Sequence, residues 1–275
     1  MKLNRITATV IGCLTVAAVA SAQPEPTMRR ILLPAYTADV LSGQGGAKFR
    51  MQLEAYSDHG FRYYPGRATA PQIISGPAGR YIFTVPSYGR TNSGGRFLFV
   101  NDGPSPTTNL SLRLLSGHTT PTTTNPPEAV TTMPLVHDND FVSGRTVLVN
   151  AGPVSANSGF RQTLRIYGFD DAPADFDVKL WLDVDSGYSA PVLVGTKHIS
   201  LDTKEGNDVS FPRFAQLDLG TFPSPCGGPI DDNYSCDPRG ARVEIVPTSA
   251  ATKYWPLLTI TNSSTLQVTL AYPQQ

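Results

Sequence analysis

Residues 226–236 read Cys-Gly-Gly-Pro-Ile-Asp-Asp-Asn-Tyr-Ser-Cys and hold the only two cysteines beyond the N-terminal apolar segment. A disulfide, a metal site and a redox dithiol are the chemistries to weigh for Cys226 and Cys236. Zinc wants nitrogen or sulfur ligands at short spacings, and no histidine is near in sequence. A redox dithiol is usually C-x-x-C at a helix start, whereas nine residues separate these two. Calcium takes about six to eight oxygen ligands. Asp231, Asp232 and Asn233 with Asp237 could supply several, although the alternating calcium-loop pattern ending in glutamate is missing. Asp138-Asn139-Asp140 is a second oxygen-rich set. Calcium at the cysteine loop therefore stays open beside the disulfide, and no other cofactor is indicated.

Catalytic constellations are sparse. Signatures for a hydrolase elbow, a zinc protease helix, a P-loop and a dinucleotide fold are all absent from the sequence. His59, His118, His137 and His198 lie far apart, each near turn-forming residues, and nothing marks a serine as activated. Val184-Asp185-Ser186-Gly187 resembles an aspartic-protease loop, but two such loops must meet to share a proton, and one copy occurs. The other acidic pairs fall in turns, where aspartate bonds its own backbone. Aromatic residues offer binding chemistry instead. Tyr63, Tyr64, Trp181 and Trp255 could stack on a sugar or anchor a protein partner if exposed. Core packing is the competing reading for both tryptophans.

The elements that carry these residues follow from composition and pattern. Lys2 and Arg5 precede a short apolar run, and Ala20-Ser21-Ala22 offers small residues at a cleavage site. That order predicts a secretory signal over residues 1–22. The run is too short to span a membrane as a helix, so no membrane span is expected. Val10-Ile11-Gly12-Cys13 loosely resembles a lipobox, which makes a lipoprotein the minor alternative to cleavage after Ala22. Cleavage removes two basic residues and no acid, which leaves a formal net charge of −2. Without a basic cluster, nucleic acid is a poor partner. Export places Cys226 and Cys236 in an oxidising compartment, periplasmic or extracellular, where two lone cysteines normally pair.

Only 16% of residues are charged, with 24 glycines and 24 prolines. Helix-forming Glu and Lys are scarce, so the chain is expected to be all-β. Residues 175–185 alternate strictly: Phe176, Val178, Leu180, Leu182 and Val184 share one face, with Asp177, Lys179, Trp181 and Asp183 on the other. Phe49 to Tyr56 matches Phe160 to Tyr167, with Phe, Arg, Leu and Tyr at the same spacing. Phe97–Asn101 followed by Asn109–Leu114, and Leu257–Asn262 followed by Leu266–Leu270, each read as a closing hairpin. The cysteine loop reads as a stapled hairpin or loop tip between strands 217–222 and 243–246. Residues 117–129 are Thr- and Pro-rich without apolar period, the pattern of a stiff linker. It divides a smaller β-sandwich, residues 29–116, from a larger one with the disulfide, residues 130–273.

Leu32-Leu33-Pro34, the turn before Phe49, the Met133-Pro134-Leu135-Val136 to Phe141 segment and the Trp255 to Val268 ending together resemble a group of uncharacterised secreted bacterial proteins. The resemblance implies two tandem immunoglobulin-like β-sandwich domains and an exported location, and it implies no site. The expected function is a secreted or cell-surface, non-catalytic protein that presents an interaction surface to a protein or glycan ligand. A carbohydrate-binding module is the first alternative. A secreted hydrolase with a scattered active site is the second. Oligomeric state leaves no trace in the sequence.

Overall fold

The computed structural model describes residues 28–273 apart from 38, 44–45, 66–70, 86–93, 102–107, 123, 151–158, 185–190, 203–209, 224–237 and 250. The chain is all-β, built from antiparallel sheets, none of them closed. Among the described residues there is no α-helix. The expected signal segment, residues 185–190, Cys226, Cys236, Asp231, Asp232, Asn233 and Asp237 lie outside the described residues.

Two sheets come from the first half of the chain. In the first sheet, β1 (Arg29–Leu33) pairs with β7 (Arg96–Asn101), which pairs with β4 (Phe61–Tyr64) and then β5 (Gln72–Ile74). The second sheet centres on β3 (Lys48–Ser57) and β8 (Asn109–Gly117). Two short strands, β2 (Leu41–Ser42) and β6 (Gly79–Phe83), share the other edge of β3. Leu32, Leu98, Val100, Phe61 and Tyr63 of the first sheet pack with Met51, Leu53, Ala55 and Leu112 of the second in one buried cluster.

The segment from 118 to 128 is the loop of a hairpin. β9 (Ala129–Met133) pairs straight back onto β8, with Ala129 opposite Ser116, and β10 (Val136–His137) adds to the edge of β1. A Thr/Pro stretch without apolar period suits a hairpin loop as well as a linker, because both need only solvated backbone.

The second half also makes two sheets. The third sheet centres on β13 (Phe160–Gly168) and β18 (Lys253–Asn262), with β16 (Phe214–Asp218) beyond β13. Two short strands, β11 (Val142–Ser143) and β19 (Val268–Ala271), share the other edge of β18. Pro256, which cannot donate to a ladder, stands at the gap between them. The fourth sheet runs β12 (Thr146–Asn150), β17 (Pro238–Pro247), β14 (Asp175–Val184) and β15 (Val192–Ser200). The alternation of β14 takes the form its sequence dictates. Phe176, Val178, Leu180 and Leu182 are each at most 1% exposed and pack against Leu164, Ile166, Leu258 and Ile260 of the third sheet.

The third sheet is covered on both faces. Leu164 and Ile166 face the fourth sheet, while the alternate residues Tyr167, Trp255 and Leu257 join the cluster of the first half. Seven consecutive residues of β18, Tyr254 to Ile260, are buried for this reason.

Two expected pairings differ. Residues 97–101 and 109–114 lie in separate sheets rather than forming one hairpin, since β7 pairs β1 and β8 pairs β3. Residues 219–221 form a 3-10 turn, and β16 and β17 belong to different sheets, so the cysteine loop connects two sheets rather than capping a hairpin. Adjacency in sequence favours pairing without requiring it.

Candidate functional site

On β13 the side chains of Arg161, Thr163, Arg165 and Tyr167 share one face by period-2 alternation. That face turns toward the first half of the chain. At one end it is apolar and closed. Tyr167 is buried, its ring 6.1 Å from that of Trp255, and its hydroxyl accepts a hydrogen bond from the Ala35 N–H at 2.9 Å. Around it, the Arg30 Nη1 donates to the Phe169 carbonyl at 3.2 Å, and the Phe97 N–H donates to the Ser210 carbonyl at 2.7 Å.

Toward the other end, the same face opens into a cavity of about 330 Å³ between the second and third sheets. The floor comes from the inner face of the second sheet: Phe49 and Met51 on β3, Leu114 on β8 and Met133 on β9. The opposite wall is polar, with Arg161, Thr163, Arg165, Gln216, Thr259 and Thr261. Buried Ala35, Ala47 and Leu266 lie at the depth, and exposed Ser42, Arg161 and Ser263 mark the mouth. The side is closed by hydrogen bonds from the Ser116 hydroxyl to the Leu266 carbonyl at 3.0 Å and from the Thr131 hydroxyl to the Val268 carbonyl at 3.2 Å.

Among the described residues no acidic side chain lines this cavity, yet it holds a cation. Arg165 Nε is sealed from solvent and has no hydrogen-bond partner among the described residues. Its Nη1 donates to the Thr259 hydroxyl at a long 3.4 Å, and that hydroxyl in turn donates to the Thr163 carbonyl at 3.2 Å. Burial pulls the pKa of the guanidinium down, with Tyr167 pulling it up and Arg161 down, and no carboxylate among the described residues acts on it. An arginine stays protonated at any physiological pH regardless. Arg161, at the mouth, has Asp218 Oδ2 at 3.6 Å. Arg165 as a residue is half-buried, so its guanidinium is partly sealed and partly open to the cavity; a partly desolvated cation with no acid beside it among the described residues suits an anion.

Backbone geometry points to the same place. Among the described residues, Ala35 (φ 54°) and Leu266 (φ 58°) are the only non-glycines in the left-handed region, and both line the cavity. A left-handed alanine or leucine costs about 1–3 kcal/mol, and such strain collects at functional sites.

The aromatic candidates are placed elsewhere. Trp255 is 2% exposed and lies in the shared core; Tyr63 is 5% exposed, its ring 4.9 Å from that of Phe83. Neither ring face is available to a sugar. Tyr64 is half-buried. Trp181 is half-buried on the outer face of the fourth sheet, where its Nε1 donates to Glu244 Oε2 at 2.9 Å and Arg145 holds the other carboxylate oxygen at 2.7 Å.

The histidines form no triad among the described residues. His198 Nδ1 lies 3.0 Å from Asp177 Oδ1 on the exposed edge of the fourth sheet, and the neighbouring Ser200 hydroxyl donates to Asp175 rather than to the imidazole. His118 pairs with Glu128 across the β8–β9 loop at 2.8 Å. Asp138 and Asp140 are occupied locally, by Arg30 Nε at 2.7 Å and by the His137 N–H at 2.6 Å. No cluster of three or more His, Cys, Asp or Glu side chains suited to a metal occurs among the described residues.

The cavity escaped sequence reading because Arg161, Thr163 and Arg165 look like the solvated face of a half-buried strand. The signal that could have found it is the unbroken apolar run Tyr254 to Leu258 on the paired strand, which requires burial on both faces. The chain matches no protein-family model, no curated protein and no solved structure in comparisons of sequence and fold.

Proposed function

We propose that this chain is an exported, non-catalytic binding protein that takes a small anionic ligand in the cavity between its two halves. The observation that carries the reading is that, among the described residues, Arg165 Nε is sealed from solvent and unpartnered and no acid lines its cavity. The basic, apolar and small-residue order of residues 1–22 supports export with cleavage after Ala22. Paired sheets in each half support two immunoglobulin-like sandwiches, with the pairing of β9 and β10 moving the division to about residues 138–140. In that compartment Cys226 and Cys236 join as a disulfide. Two alkylatable thiols in natively exported protein would rule the disulfide out.

A binding role fits a site with one strong cation, several hydroxyl and amide groups and an apolar floor, because such pockets recognise rather than react. The test is a thermal-shift panel on the exported protein with acetate, benzoate, octanoate, citrate and phosphate. At least one anion raises the melting temperature of the native chain and leaves Arg165→Gln unmoved. A panel in which no anion shifts the native chain sinks the reading.

A further inference from the structure

We propose that the ligand of this cavity is an amphipathic monocarboxylate, with its head on Arg165 and its apolar body on the Phe49, Met51, Leu114 and Met133 floor; the proposal rests on the anion-binding reading above. Three observations define the class. The first is charge. The cavity holds one guanidinium that no acid compensates among the described residues, Arg165, because Arg161 sits at the mouth beside Asp218. A monoanion neutralises one cation, whereas a phosphate dianion would replace an unmatched positive charge with an unmatched negative one. The guanidinium fork also fits the two oxygens of a carboxylate. Gln216 stands directly across from Arg165 in the β13–β16 pairing, so its amide can serve the same head group.

The second observation is polarity. The cavity is largely divided: Arg161, Thr163, Arg165, Gln216, Thr259 and Thr261 come from the third sheet and the apolar floor from the second, with Ser42 on the second sheet and Val268 on the third as the exceptions. A citrate or a sugar acid would leave hydroxyl or carboxylate groups against Phe49, Met51, Leu114 and Met133, each without a partner. Two of those floor residues are methionines, whose flexible side chains adapt to an alkyl or aromatic body. The third observation is size. At roughly 30 Å³ per water-sized group, a cavity of about 330 Å³ takes on the order of ten heavy atoms. Octanoate and phenylpropionate are of that size, and a longer acid would have to extend through the open mouth.

Isothermal titration of the full exported chain with octanoate, acetate, 1-octanol and phosphate separates the parts. Octanoate binds at least about a hundredfold tighter than acetate, since each buried methylene adds roughly 0.8 kcal/mol. Arg165→Gln weakens octanoate at least tenfold and leaves 1-octanol unchanged. Phe49→Ala, at a half-buried wall position, weakens octanoate and leaves acetate unchanged. Octanoate no tighter than acetate or phosphate keeps the anion site and overturns the amphipathic ligand. Octanol as tight as octanoate, with Arg165→Gln harmless, overturns the head-group assignment and the anion reading with it. Failure of every probe overturns both.

Discussion

Glu54 and Arg165 occupy matching positions in the repeated Phe-to-Tyr segments, and their surroundings are opposite. Glu54 has no exposed side-chain surface and is fully satisfied: Arg80 Nε donates to it at 3.0 Å, Gln52 at 2.6 Å, and Arg113 lies at 3.5 Å. The Arg80 guanidinium holds its carboxyl below the usual range. Arg165 has no such partner, although the sequence presents both as charged residues on alternating strands. The repeat was legible; which of the two charges would be left unmatched depends on residues far away in the chain, and no spacing encodes them. Tyr36, next to Ala35, gives a titration that the fold controls. Burial pushes its phenol up to about 12, while an unfolded tyrosine titrates near 10. Between those values the unfolded chain loses a proton that the native chain keeps, so stability falls as pH rises, by up to about 2–3 kcal/mol. Urea midpoints from pH 8 to 11.5 show this alkaline decline in the native chain. In Tyr36→Phe the decline is shallower, with a remainder from Tyr254, which burial also raises. Equal slopes in the two proteins contradict the burial of Tyr36.

At the scale of elements, the third sheet holds the molecule together because it packs on both sides. Gly95 lies where it meets the first half. Its φ is +82°, and an added Cβ would sit 2.9 Å from Tyr167 Cε1 and 3.0 Å from the Leu33 carbonyl. Gly144, where the chain passes from β11 to β12, has φ +77° and nothing within 4 Å. Gly144→Ala therefore costs only its backbone conformation, about 1 kcal/mol. Gly95→Ala adds a clash with a buried ring and costs about 2–4 kcal/mol. Urea denaturation of the two variants gives this order; equal losses would mean that Tyr167 has room to move. Strand β14 was readable from its alternation, since one of its faces meets solvent. The sheet partners of β7, β8 and β16 were not, because a strand pattern records which face is buried and not which strand lies alongside.

At the scale of the molecule, one buried cluster joins strands from residue 31 to residue 257. The two halves therefore unfold together. Calorimetry gives a single transition with equal calorimetric and van't Hoff enthalpies, and two separated transitions would contradict the shared core. Composition announced the all-β class. It could not announce the cavity, which exists only because a strand face with the look of a solvated surface is roofed by the other half. The most direct test of that cavity is one thermal-melt comparison of the native chain and Arg165→Met, with and without octanoate. Removing a partly buried charge that no acid offsets among the described residues, while keeping an unbranched apolar stem, relieves part of its desolvation cost, so Arg165→Met melts higher than the native chain without ligand. Octanoate raises the native melting temperature and leaves the variant unchanged, because a ligand stabilises only the state that binds it. A variant that melts lower than the native chain and still responds to octanoate would contradict the assignment of Arg165 as an anion site.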